Sequence, residues 1–334
     1  AVLIDTGSEE SAPQLIAGLN LLDVEKIEAV FLTHSHDDHT GGLAALAANY
    51  DIAMVYAPLY SEQTKKGDGV IVKLCEKLNL PHTELSAGDA IPVADGVSFD
   101  VLGPLSFNED DDNDNSLVLR FAFRQTTFLF TGDMQFSEED ALLAAGTDVS
   151  ADVLKVGNHG NPDATSEAFA LAVSPSLAVI STDTSADKDS ANERVLAALS
   201  PAKVYITQDY SLGVLLTLDE SGAPVVSSPV RQAGGYQIAV FILAPDDQCL
   251  TIQNFGKTEA DLSGCILYCD RSGATLRFPD GTRLAAGDSL TVSGAGGGGD
   301  FEFAGEDKPL RKKKRNTVSF YSPLGEKVSE LEQE

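Results

Sequence analysis

The sequence predicts two domains, an α/β domain of residues 1–226 and a small β-sandwich of residues 236–334. In the first part, short apolar runs rich in β-branched residues alternate with helical patterns. From about Ile238, short strand patterns are separated by turn signals about every ten residues, the spacing of a β-sandwich. Pro224–Gly235, with two prolines and two adjacent glycines, is the predicted linker.

The strands and helices of the first part are assigned from their periodicity. Strands are predicted at Val2–Ile4, Ala29–Thr33, Met54–Ala57, Ser98–Leu102, Leu117–Phe123, Thr127–Thr131, Val153–Val156, Ala178–Ser181 and Lys203–Thr207. Helices are predicted at Ala12–Leu22, Gly42–Asn49, Val70–Leu78, Glu138–Ala144, Glu167–Val173 and Asn192–Ala198. The first strand is already in progress at residue 1 without an initiator Met, so we expect strands to be missing from the amino end.

The chain is strongly acidic, with 23 basic and 51 acidic residues and a net charge of −28. Residues 1–231 contain 36 of the acidic but only 12 of the basic side chains, a second indication of two parts. Such a charge repels phosphate backbones at long range, which argues against a scaffold that binds nucleic acid mainly by releasing counterions. No apolar run approaches the roughly 20 residues of a membrane-spanning helix.

Three of the five histidines occur in one stretch, His34-Ser35-His36-Asp37-Asp38-His39, directly after an apolar strand. Neutral imidazole and carboxylate are good ligands for divalent metals. Four such ligands are too many for one ion that also keeps a position open, so the spacing predicts a pair of ions. We assign His34 and His36 to one ion, and Asp38 and His39 to the other.

Two later strand ends supply the remaining ligands. Asp133 follows an apolar strand and is predicted to bridge the two ions; the alternative is a cap of the next helix. His159 also follows a strand and is predicted to complete the second ion. Two divalent ions about 3.5–4 Å apart convert a bridging water to hydroxide near neutral pH, which suits phosphodiester hydrolysis. Lys155 could add positive charge there, or could simply extend to solvent.

Five motifs together resemble the metallo-β-lactamase superfamily, most closely the hydrolase domain of ComEC-type competence proteins, over about residues 1–220: Asp5-Thr6-Gly7, Thr33–Gly42, Asn115–Leu119, Thr131-Gly132-Asp133 and Leu154–Gly160. The resemblance implies a four-layer αβ/βα sandwich with two divalent ions, Zn2+ or Mn2+, at one edge. It adds Asn115 and Ser116 to Asp38 and Lys155 as candidate catalytic residues. The alternative is that Asn115 and Ser116 only shape a turn.

Two departures from the family pattern affect the predicted site. Asn158 stands where the family usually has the first histidine of His-His-Gly, which puts any proton-relay role of that position in doubt. The third histidine that holds the first ion in true β-lactamases is missing before Asp133, as in the competence subfamily. The second departure weakens a β-lactamase assignment.

Four segments of the second part resemble a lamin-tail domain, an immunoglobulin-like β-sandwich: Leu250–Gly256, Asp261–Cys265, Phe278–Leu290 and Asn316–Tyr321. In bacteria such domains accompany secreted or surface hydrolases, so we expect an extracellular or cell-surface protein. Arg311–Arg315 is a run of five basic residues that could contact nucleic acid or another anionic surface. A solvated hairpin is the alternative.

The sequence thus predicts a metal-dependent hydrolase, a phosphodiesterase or DNase, whose partner is a phosphodiester such as DNA. One alternative is a lactam, ester or thioester hydrolase of the same superfamily. Another is a catalytically reduced adhesion or targeting protein that works through the lamin-tail-like domain.

Overall fold

A computed structural model describes residues 1–22, 24–63, 69–209, 213–219, 221–227 and 238–333. Its helices are α1 Ala12–Leu21, α2 Asp37–Thr40, α3 Leu43–Asn49, α4 Val70–Leu78, α5 Phe136–Ala145, α6 Glu167–Val173 and α7 Glu193–Ala198. Strands of the first part are β1 Val2–Ile4, β2 Ala29–Phe31, β3 Val55–Pro58, β4 His82–Leu85, β5 Ala90–Ala94, β6 Val97–Gly103, β7 Val118–Phe123, β8 Thr126–Phe130, β9 Val153–Lys155, β10 Leu177–Ile180, β11 Lys203–Ile206, β12 Leu215–Leu218 and β13 Pro224–Ser227.

Among its described residues, the second part contains strands, turns and loops but no helix. They are β14 Ile238–Ala244, β15 Cys249–Asn254, β16 Ala260–Asp261, β17 Ile266–Cys269, β18 Ala274–Arg277, β19 Arg283–Leu284, β20 Ser289–Ser293, β21 Phe301–Glu302, β22 Asn316–Tyr321 and β23 Lys327–Gln333. No helix in the described ranges is long and apolar enough to span a bilayer.

The predicted strands and helices of the first part are confirmed, with ends displaced by at most two residues. Strands β4, β5 and β12 and the short helix α2 were not predicted: β4 is mostly polar, and β5 contains Pro92 and has no fully buried side chain. The predicted linker is wrong at its start, since Pro224–Ser227 pairs with β12 in a hairpin. The rest of that segment, residues 228–235, lies outside the described residues.

The first part has four layers, with two sheets face to face and helices outside them. One sheet has the order β1-β2-β3-β4 and is parallel; the other has the order β11-β10-β9-β8-β7-β6-β5. Successive side chains of a strand point to opposite faces. Accordingly Ala29 and Phe31 pack against the second sheet, whereas Val30 and Leu32 pack under α1, α3 and α4. Helices α5, α6 and α7 cover the outer face of the seven-stranded sheet.

The second part contains two four-stranded sheets, β14-β15-β20-β21 and β18-β17-β22-β23. Both contribute to one apolar core, with Ile252 and Val292 from the first sheet and Leu267 and Phe320 from the second. The predicted β-rich second part is thereby confirmed. Its immunoglobulin-like, lamin-tail assignment and the domain boundaries stay predictions.

The two parts share a small buried contact. Ile16 and Ala17 of α1 pack with Ile266, Tyr268 and Tyr321, which lie on the outer face of the sheet β18-β17-β22-β23. Helix α1 therefore has one side against the second part, while another side faces the edge where β1, β2, β8 and β9 end. That edge carries the predicted ligands.

Candidate metal centre

The histidine stretch follows β2 and turns directly into the short helix α2. Thr33 and His34 are fully buried, and His36 keeps an extended backbone as the residue before the helix. This geometry brings Nε2 of His34 to 3.0 Å from Nδ1 of His36. Burial, and next the charge of His39, lowers the pKa of His34 to about 4. The ring is therefore neutral at pH 7, and a neutral imidazole has one nitrogen lone pair that can bind a cation.

Asp38, His39, Asp133 and His159 form a four-residue cluster, each with one ligand atom within 4.8 Å of the others. Nε2 of His39 and Nε2 of His159 both lie 3.1 Å from Oδ2 of Asp133. Nε2 of His159 also lies 3.1 Å from Oδ2 of Asp38. Two imidazole nitrogens and two carboxylate oxygens are a donor set that suits Zn2+, Mn2+ or Fe2+, so these residues fit a divalent ion.

The carboxylates of the cluster favour positive charge at its two imidazole rings. Burial disfavours protonation of both rings, but the carboxylates outweigh it and raise the pKa of His39 to about 10 and that of His159 to about 9. The hydrogen bond from His159 lowers the pKa of Asp38 to about 2. A divalent cation would replace these two protons and satisfy the same carboxylates.

Asp133 is placed by a turn that only glycine fits. Gly132 has a φ of +52°, and a Cβ there would lie 2.7 Å from Cβ of Ser116 and 2.9 Å from Cβ of Thr33. The backbone N–H of Asp133 donates to Oγ of Ser116 at 2.9 Å. Asp133 is nearly buried, and although burial favours its neutral form, Lys155 and the two imidazoles hold its pKa well below the usual range.

His159 sits on a left-handed turn after β9, with φ of +52°, beside Asn158 with φ of +40°. Nδ1 of His159 lies 2.7 Å from the carbonyl oxygen of Ser181, which accepts its proton and leaves Nε2 facing the carboxylates. Nδ2 of Asn158 donates to Oδ1 of Asp163 at 3.0 Å. Asn158, which replaces the family's usual histidine, thus stabilises the turn and does not donate to the ligands of the cluster.

Asp5, part of the motif Asp5-Thr6-Gly7, holds a ligand of the cluster, a role that the motif alone does not assign. Its Oδ2 lies 2.7 Å from Nδ1 of His39, and its Oδ1 accepts from the backbone N–H of Thr33 at 2.7 Å. This contact fixes the ring so that Nε2 faces Asp133, an arrangement that carboxylates commonly provide behind metal-binding histidines. Its position after β1, next to β2 in a parallel sheet, was the signal that could have found it.

The remaining candidate residues make protein contacts. Nζ of Lys155 donates to the carbonyl oxygen of Gly132 at 2.8 Å and lies 3.5 Å from Oδ1 of Asp133. Oγ of Ser116, fully buried, lies 3.4 Å from Nδ1 of His34 as well as accepting from Asp133. Asn115 is also buried, and its amide donates to the carbonyl oxygen of Asn108 and to Oδ1 of Asp112. Both Asn115 and Ser116 thus support the surrounding loops.

Two clefts border the histidine stretch. The first, about 580 Å³, is called the α1 cleft and is lined by Ile4, Ser11, Gln14, Leu15, Gly18, Leu19, Leu22, Phe130, Asp38, His39, Lys155 and His159, among others. The second, about 500 Å³, is called the acidic cleft and is lined by His36, Glu62, Glu109, Asp110, Asp111 and Asp112, among others. Asp112 of the acidic cleft accepts from the backbone N–H of Ser35 at 2.9 Å, so this loop is attached to the histidine stretch.

Comparisons with known proteins agree with this geometry. A family model described as the Metallo-beta-lactamase superfamily matches residues 1–184. ComE operon protein 3 of Bacillus subtilis is 28% identical over 237 residues, which cover 66% of this chain and 29% of that protein. Competence protein ComA of Neisseria gonorrhoeae is 29% identical over 182 residues, which cover 54% of this chain and 24% of that protein.

Among solved structures, Zn(2+)-bound PqqB from Methylobacterium extorquens matches with a TM-score of 0.35 and 12% identity, over 60% of this chain and 67% of that one. The chain spans less than a third of the length of the two curated relatives.

Proposed function

The chain belongs to the metallo-beta-lactamase superfamily, and from that premise we propose that it is a metal-dependent hydrolase of phosphoric diesters. The superfamily and the likeness to competence proteins that the motifs indicated are both confirmed by the matches above. The observation that carries the proposal is the cluster of Asp38, His39, Asp133 and His159 at the strand ends, with Lys155 beside it.

We propose two divalent ions, with Asp133 between them. The cluster of Asp38, His39, Asp133 and His159 would hold one ion, and His34 and His36 would hold the other with the shared carboxylate. When bound, such ions supply Lewis acidity and a hydroxide nucleophile at neutral pH. The cluster supplies four donors from the protein and the pair only two, so we expect the cluster to bind its ion more tightly.

The protein's own groups orient the ligands and add charge. Asp5 holds the ring of His39, Ser181 holds that of His159, and Ser116 positions Asp133. Lys155 brings an ammonium group to the same cleft, where we propose that it offsets the negative charge that develops on the phosphoryl oxygens. We assign Asn115 to shaping the loop, because its amide is engaged there.

The test is hydrolysis of bis(p-nitrophenyl) phosphate by protein loaded with Mn2+ or Zn2+, compared with a thioester and a β-lactam. We expect the phosphodiester to be cleaved, and Asp133→Asn to lose more than about a hundredfold in rate and in metal affinity. The matched control is Asp100→Asn, at an exposed strand position outside the centre. Cleavage of only the thioester or lactam would overturn the phosphodiester assignment, and an Asp133→Asn variant as active as the control would overturn the site.

DNA is the phosphodiester we propose, since one matched relative is named a competence protein, and the basic run offers a contact for its backbone. The structure places Arg311–Arg315 in an exposed turn. The turn is held firmly, because the buried amide of Asn316 donates to the carbonyl oxygens of Arg311 and Lys314 at 3.0 and 3.1 Å. Arg271 lies alongside, with Nε donating to the carbonyl oxygen of Arg315.

Most charges of this basic turn are available. Lys312 is 3.6 Å from Asp246 and Arg315 pairs with Glu332, but Arg311, Lys313 and Lys314 have no ion pair with any residue that the structure describes. Unpaired cations on a firmly held turn of an otherwise acidic protein favour a polyanionic partner. We therefore prefer the DNA contact to a merely solvated hairpin.

Neutralising Arg311, Lys313 and Lys314 to Gln tests this contact. We expect weaker binding of single-stranded DNA in EDTA, and a slope of log Kd against log salt that is smaller by about 2, roughly 0.7 for each charge. The matched control neutralises Lys77, Lys188 and Lys257, which are exposed elsewhere and change the net charge equally. If both triple variants bind DNA alike, or if only binding to anionic vesicles falls, the contact is wrong.

The lamin-tail assignment of the second part and a cell-surface location stay proposals as well.

A further inference from the structure

One side of α1 forms an apolar wall that leads to the candidate metal centre. Leu15, Gly18, Leu19 and Leu22 follow one another at helical spacing and line the α1 cleft. Leu22 is 55% exposed, so part of this apolar wall is open to solvent. Ile4 and Phe130 line the same cleft, as do Asp38, His39 and His159 of the cluster.

Gly18 is the unusual residue in this wall. A glycine inside a helix costs about 0.5–1 kcal/mol relative to alanine. Its φ is not positive, and a Cβ built there would meet no heavy atom of the described residues within 4 Å. The packing of the described residues therefore does not require a glycine at this position. The space that a side chain would occupy belongs to the α1 cleft, so Gly18 keeps the cleft wide.

The charges on the two sides of the candidate metal centre also favour the α1 cleft as the place for a substituent of the substrate. On the far side of the histidine stretch, the acidic cleft presents five carboxylates, from Glu62 and residues 109–112. These repel the remaining negative charge of a phosphodiester and exclude its apolar groups by their hydration. On the near side, Lys155 lines the α1 cleft together with the apolar wall, and its Nζ lies 3.5 Å from Oδ1 of Asp133. A substrate with its phosphate beside Lys155 places an attached group over α1.

We propose that the α1 cleft binds a planar ring attached to the phosphodiester, such as a nucleobase or a phenyl ring, and that Gly18 sets the width of this subsite. The proposal rests on the proposed function for the identity of the charged group. It adds that the protein discriminates among phosphodiesters by the size of an attached ring.

The experiment is calorimetric titration of the metal-loaded protein with diphenyl phosphate and with dimethyl phosphate. We expect wild type to bind diphenyl phosphate at least about tenfold more tightly, as a filled apolar pocket does. Gly18→Leu should abolish this preference and leave dimethyl phosphate binding unchanged. Gly18→Ala is the matched control: it should keep the preference and raise the thermal midpoint, because alanine favours the helix.

The outcomes separate the two proposals. A Gly18→Leu variant that retains the preference for diphenyl phosphate overturns the subsite, and so does a wild type that binds the two diesters equally. If wild type shows the preference and Gly18→Leu loses it, the subsite stands even when bis(p-nitrophenyl) phosphate is not hydrolysed. In that case the failure belongs to the proposed function alone.

Discussion

Replacing Asp5 by Asn should weaken metal binding without disturbing the fold. The carboxylate lies 2.7 Å from Nδ1 of His39, and the side chains are 16% and 4% exposed, so solvent screens the pair little. Asn tolerates the left-handed backbone at φ +60° and keeps an oxygen to accept from Thr33. What it removes is the negative charge that makes His39 a stronger ligand.

The loss expected for such a carboxylate behind a metal-binding histidine is about 10–100-fold in metal affinity, which corresponds to roughly 1.4–2.7 kcal/mol. Competition with a chromophoric chelator for Zn2+ or Mn2+ measures it, with Asp100→Asn as the control. Thermal unfolding of the metal-free proteins shows whether the fold is intact. An affinity within threefold of wild type, in a folded Asp5→Asn protein, would refute the orienting role of Asp5.

Three further changes have defined outcomes. Burial raises the pKa of Glu138 to about 7, so between about pH 4.5 and 7 the folded protein holds a proton on Glu138 that the unfolded chain has released. The free energy of unfolding therefore falls as the pH rises through this range. Glu138→Gln should remove about 2 kcal/mol of this fall, measured by urea unfolding, whereas the exposed Glu193→Gln should leave it unchanged. Ile16→Ala, at the buried contact between the two parts, should cost about 2–5 kcal/mol, whereas Leu171→Ala, at a side chain 80% exposed, should stay within about 0.5 kcal/mol. Ser116→Ala leaves the buried N–H of Asp133 without its acceptor and should cost about 1–3 kcal/mol of stability together with metal affinity, and unchanged values for both would argue against its positioning role.

Local patterns in the chain were sufficient for most of the elements and for the ligand types. Short apolar runs mark strands that are buried on both faces, so β2, β8 and β9 were placed within two residues. The histidine stretch was informative for a different reason. Its ligands are close in sequence, so the short segment that joins them also keeps them close in space.

Contacts between distant segments depended instead on sheet order and register. Asp5 meets His39 because β1 lies beside β2, and Asp112 reaches Ser35 across 77 positions of the chain. Gly18 is an ordinary helix glycine in the sequence, and only the folded chain shows that its missing side chain widens a cleft beside the cluster. Periodicity predicts which way a side chain faces. The neighbour that it contacts depends on which strands pair and which helix covers them. That arrangement is a property of the whole chain, because all the apolar faces must be buried at once.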